Sequence, residues 1–171
     1  MKSSRTLLAA LAAIVIAIAF GVAAAVIPAR HEAAPTVAYT LLDGAQHSSA
    51  QWRGKVVLVN FWATTCTSCV REMPQIAALH DKFKARGFET IAVSMSYDAP
   101  ASVVNYAETR RLPFGVAIDN TGAIARSFGN VEATPTTFVI DKRGEIAERI
   151  VGTPDFVALS ARIERLLAAP A

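Results

Sequence analysis

Apolar residues run without a break from Leu7 to Ile27, and beyond that segment they become periodic. Val37 to Leu42 alternates and meets a turn at Asp43-Gly44, which predicts a first hairpin. Val56 to Phe61 is almost continuously apolar, as expected of a buried strand. Ile76, Leu79, His80 and Phe83 recur at helical spacing, predicting a helix from Cys66 to about Ala85 that stops at Gly87. Phe88 to Ser96 alternates through Ile91, Val93 and Met95 and reads as a strand. A helix follows from Pro100 through Val104 to Arg110, then a strand at Val116 to Asp119 and a brief helix from Thr121 to Phe128. Thr137 to Asp141 and Ile146 to Val151 form a hairpin turned at Lys142-Arg143-Gly144. The last helix, Pro154 to Leu167, carries Phe156, Leu159, Ile163 and Leu166 on one face, with Thr153 as candidate N-cap. The order β-β-β-α-β-α-β-α-β-β-α predicts an α/β fold with a mixed sheet covered by helices on both faces.

The unbroken segment at the start changes the setting of this domain. Lys2 and Arg5 precede 21 uncharged residues, enough to cross a bilayer as a helix with the N-terminus in the cytoplasm. The expected organisation is a membrane anchor over residues 1–27, a tether over 28–35 and one domain over 36–171. A signal sequence cleaved near Ala23, Ala24 and Ala25 is the alternative reading. Either way the domain is placed in the periplasm or otherwise outside the cytoplasmic membrane. Without Lys2 and Arg5 the rest of the chain is close to neutral, so no basic field favours nucleic acid.

The chain has two cysteines, Cys66 and Cys69, separated by Thr67 and Ser68 at the junction of a strand and a helix. Unpaired N–H groups and the positive end of the helix dipole there favour thiolate over thiol at Cys66. Cys69, one turn inward, is placed to attack a mixed disulfide on Cys66 and release the partner. This is a two-electron exchange centre that needs no cofactor. A structural disulfide closing so small a loop would stabilise little. Zinc would need four ligands, and His31, His47 and His80 are scattered. Cu(I) held by the two thiolates, with a third ligand such as His80, is the alternative from another functional class. Peroxide reduction is disfavoured, because Val59 and Ala63 stand where a peroxidatic site would have proline and threonine.

Three ordered motifs carry a resemblance: Asn60-Phe61-Trp62-Ala63, then Cys66-x-x-Cys69 followed by Glu72 and Pro74, then Thr134-Pro135-Thr136-Thr137-Phe138. Together they resemble the membrane-anchored TlpA/ResA-like thiol-disulfide oxidoreductases, over residues 36 to about 168. The resemblance implies a thioredoxin-like fold with an N-terminal β-hairpin and a central βα insertion. It implies a cis Pro135 beside the cysteines, with the Thr134 backbone pairing to an extended substrate. It implies catalytic roles for Cys66, Cys69 and Glu72, the last exchanging a proton with Cys69. Asn60 occupies the place of a buried aspartate in cytoplasmic thioredoxins and cannot take a proton. Pro74 is expected to interrupt the helix by removing one donor.

The implied partners are an exported disulfide-containing protein as substrate, with apocytochrome c or a copper-centre assembly protein as candidates, and a membrane thiol transporter as electron donor. Thr65 stands where a tryptophan is usual, and Thr67-Ser68 lacks the common proline. No histidine lies between the cysteines, which tilts the expectation toward a reductant.

Overall fold

The computed structural model describes residues 32–171. The apolar segment Leu7 to Ile27 and residues 28–31 of the tether lie outside the described residues, while the rest of the tether is hydrogen-bonded to the domain, the Ala34 N–H donating to Gly144 and the Glu32 carbonyl accepting from Ile146. Among the described residues no helix is long and apolar enough to cross a membrane.

Strand β3 (Val56–Trp62) is buried along its whole length and forms the middle of a five-stranded sheet ordered β5-β4-β3-β6-β7. Its neighbours are β4 (Phe88–Ser94), parallel, and β6 (Thr136–Ile140), antiparallel. The edges are β5 (Gly115–Ile118), parallel to β4, and β7 (Ile146–Val151), antiparallel to β6. A separate hairpin pairs β1 (Ala38–Thr40) with β2 (Gln46–Ser48). A single 3-10 turn, Ser49–Trp52, continues from it.

Helices α1 (Thr67–Phe83) and α2 (Pro100–Arg110) connect β3 to β4 and β4 to β5. Both crossovers step in the same direction across the sheet, so right-handed connections carry both helices to one face. Helix α4 (Phe156–Ala168) joins them there. Leu58, Trp62, Met73, Ile76, Phe83, Val103 and Ile163 meet in that core. On the other face α3 (Ala123–Ser127), the hairpin and Trp52 pack over Val57, Val59 and Phe61. Coverage of both faces therefore holds, with three helices on one face and a short helix plus the hairpin on the other.

Two local expectations are corrected. Thr153 is not the cap of the last helix: Asp155 is, its carboxylate accepting from the N–H groups of Val157 and Ala158. The charged acceptor two residues later satisfies two orphan donors at once. Pro74 does not interrupt α1, which continues through it. The carbonyl that Pro74 leaves without its helical donor is Val70, four residues back. The Tyr106 hydroxyl of α2 donates to that oxygen at 3.4 Å. Gly87 does end the helical run, with φ of 87° in the left-handed region that glycine adopts without strain.

Candidate active site

The end of β3 and the start of α1 are joined by Ala63 to Cys66, and this loop is pinned from β4. The carboxylate of Asp98, buried just after β4, accepts from the Thr64 N–H and the Thr64 hydroxyl, each at 2.6 Å. The loop cannot drift, and Cys66 follows it directly into the helix. Cys66 is the N-cap of α1: its Sγ accepts from the Cys69 N–H at 3.2 Å and lies 3.3 Å from the Ser68 hydroxyl. Those donors, together with the helix dipole, face the sulfur that would carry charge in the reduced chain.

Cys66 and Cys69 are joined as a disulfide, with Cα atoms 5.3 Å apart. Their surroundings differ. Cys66 is half-buried, whereas Cys69 has no exposed surface and packs with Trp62 and Met73. A partner disulfide can reach the first sulfur and not the second.

Glu72 lies one turn beyond Cys69 on the inward side of α1 and is only 1% exposed. It meets the sheet at Asn60, whose side chain is on the same face of β3 as Leu58 and Trp62. The Asn60 amide donates to Glu72 Oε1 at 3.2 Å and to Thr137 Oγ1 at 3.1 Å. Thr137 is Asn60's register partner on β6, which is why the two side chains meet. Burial pushes the Glu72 carboxyl up to about 7, against the opposing effect of Asn60's hydrogen bond. A carboxyl titrating there can hold or release a proton at neutral pH.

The Thr134-Pro135 bond is cis. Thr136 pairs with Phe61, so continuing the antiparallel register sets Pro135 opposite Trp62 at the end of β3 and Thr134 opposite Ala63, in the loop that leads to Cys66. The Pro135 carbonyl accepts from the Gly152 N–H. The Thr134 backbone makes no hydrogen bond among the described residues, while its hydroxyl lies 3.2 Å from that of the exposed Tyr97.

The redoxin family pattern matches residues 29–160 of this sequence. The chain belongs to the redoxin family. This redoxin is 40% identical over 120 residues to a thiol-disulfide oxidoreductase ResA of Geobacillus kaustophilus, covering 70% of this chain and 68% of that one. It is 29% identical over 120 residues to the ResA of Bacillus subtilis, covering 70% and 66%. A thioredoxin-family thiol:disulfide interchange protein of Chlorobium tepidum superposes with a TM-score of 0.74 at 30% identity, over 81% of this chain and 98% of that one. The redoxin described here is therefore a thioredoxin-like thiol-disulfide oxidoreductase of the ResA kind, with Cys66 and Cys69 as its close cysteine pair.

The geometry removes His80 from a copper site shared with the cysteines of this redoxin. It lies 14 residues along α1 from Cys66, about 20 Å at the rise of an α-helix. There it is buried against Phe88 and Phe114. The sequence assigns no role in the site to Asp98, or to Thr137 beyond its place in the Thr134–Phe138 motif. A carboxylate just after a strand that leads toward the active edge was a usable signal for Asp98. Thr137 had none, because its part follows from strand register.

Proposed function

We propose that this oxidoreductase reduces disulfides in extracytoplasmic proteins. The observation that carries the reading is the unequal placement of the two sulfurs: Cys66 half-buried at the helix N-cap, Cys69 buried one turn behind it. In the reduced chain the Cys66 thiolate attacks one sulfur of a substrate disulfide. The new bond joins Cys66 to the substrate, and the substrate's second sulfur leaves as a thiolate. Cys69 then gives its proton to Glu72 and attacks Cys66 Sγ, forming the Cys66–Cys69 disulfide and releasing the substrate's other thiolate. Two electrons pass to the substrate. The Thr134 backbone holds the substrate segment as an added strand beside Pro135.

On this reading Leu7 to Ile27 anchors the chain in the cytoplasmic membrane with the domain outside. A membrane thiol transporter returns the disulfide to the dithiol. The substrate is an apocytochrome c or a copper-centre assembly protein. The loop Ala133-Thr134-Pro135-Thr136 lacks the Pro-Glu-Thr-Phe run of dedicated cytochrome c maturation members, which supports a general TlpA-like reductase.

Cys69→Ala should accumulate mixed disulfides through Cys66 with exported proteins, seen as thiol-sensitive bands on non-reducing gels. No such adduct with any exported protein would sink the exchange mechanism. The direction of flow is read from the equilibrium potential: near about −270 mV the couple is a reductant, near about −120 mV an oxidant, which would reverse the proposal.

A further inference from the structure

Five polar atoms define the ground beneath the cysteine pair. Both hydrogens of the Asn60 amide nitrogen are committed, one to Glu72 Oε1 and one to Thr137 Oγ1. Glu72 Oε2 and Asn60 Oδ1 are buried and have no partner. The carboxyl is therefore unsymmetrical: one oxygen is tied to the sheet, and the other has no hydrogen bond, with the Thr153 side chain the further polar group acting on the carboxyl. A buried carboxylate oxygen without a donor is the one that gains most from a proton, whereas Oε1 already receives a hydrogen.

We infer that Asn60 is a positioning residue for Glu72: its amide N–H, braced against Thr137 Oγ1 on β6, ties down Oε1 and so makes Oε2 the oxygen that accepts and returns the proton. The inference rests on the proposed proton exchange between Cys69 and Glu72, and supplies what that exchange needs, a carboxyl fixed in place with a defined basic oxygen. The step is balanced as Cys69 S–H plus Glu72 carboxylate giving Cys69 thiolate plus Glu72 carboxylic acid, with the new O–H bond on Oε2. Thr137 sits opposite Asn60 in the β3–β6 register, so its hydroxyl meets the amide from a rigid strand.

No charged side chain bears on the ionisation of Glu72. The groups that do are Asn60 from β3 and Thr153 after β7. Removing the Asn60 donor therefore acts on an otherwise neutral setting. A lost hydrogen bond to an ionised group should raise the Glu72 midpoint by about 1 pH unit.

The test follows the Glu72 carboxyl directly, by carbon-13 NMR of the full chain labelled at glutamate carboxyl carbons. Glu72→Gln identifies its signal. Asn60→Ala should raise the midpoint by about 1 pH unit. Thr137→Val, which keeps the shape and loses the hydroxyl, should raise it less, and Thr137→Ser should leave it in place. The threonine pair keeps the test decisive if Asn60→Ala does not fold. If Thr137→Val matches the wild-type midpoint, and Asn60→Ala where it folds does too, the assignment is overturned. The rate of mixed-disulfide resolution against pH is measured in the same variants. A midpoint that moves while the rate profile stays still upholds Asn60 as the group that fixes Glu72 and overturns the proton transfer from Cys69.

Discussion

Glu72 gives up its proton at about pH 7 in the folded chain, against 4.5 for an ordinary glutamate. Between those values the folded state holds a proton that the unfolded state has released, so stability falls as pH rises through the window. The contribution is complete below about 4.5 and lost above about 7, a difference of about 3 kcal/mol. Glu72→Gln should therefore flatten the dependence of the melting temperature on pH across that window, measured by circular dichroism. An equally steep fall in the variant would assign the effect to other groups. The cysteines and Glu72 were legible from sequence because their relation is local, set by the spacing of one helix. The hydrogen bond between Asn60 and Thr137 was not, since 77 residues separate them and strand register brings them together.

Helix α1 shows how an element absorbs a residue that should disrupt it. Pro74 withholds one donor, and the hydroxyl of Tyr106 from α2 supplies one to the Val70 carbonyl. The ring of Tyr106 also lies 5.2 Å from that of Trp62, so the same side chain packs the two helices onto β3. Tyr106→Phe keeps the ring and removes only the donor. It should cost about 1 kcal/mol in urea unfolding, with the slope unchanged. Restoring a residue with an N–H through Pro74→Ala should make the Tyr106→Phe cost smaller, because Val70 regains its helical partner. The proline was visible in the sequence, and its compensation was not, because α2 approaches α1 only through the parallel crossovers. The start of α4 was misread for a related reason. Thr153 and Asp155 are both capping residue types, and backbone path chose the carboxylate.

At the scale of the whole described domain, the succession of elements was legible from hydrophobic period, because strands buried on both faces and amphipathic helices leave different patterns, whereas the strand order β5-β4-β3-β6-β7 was not. The unequal covering of the two faces was not. It depends on two consecutive right-handed crossovers and on a hairpin that covers the other face together with α3. Trp52, 2% exposed, is central to that cover, and its indole N–H donates to the Tyr39 hydroxyl at 3.0 Å. Trp52→Ala should destabilise the fold by about 3 to 5 kcal/mol in denaturant titration. Thiol exchange by the fraction still folded should be unchanged, since Trp52 and the cysteines pack on opposite faces of the sheet.

The difference in exposure between the two sulfurs also decides where chemical damage falls. Peroxide or another small oxidant arriving from solvent meets Cys66, and the sulfenic acid formed there has the Cys69 thiol one helical turn away. Their condensation expels water and returns the ordinary disulfide, ahead of the irreversible steps to sulfinic and sulfonic acid. Burying the second sulfur thus gives the first a built-in route of repair.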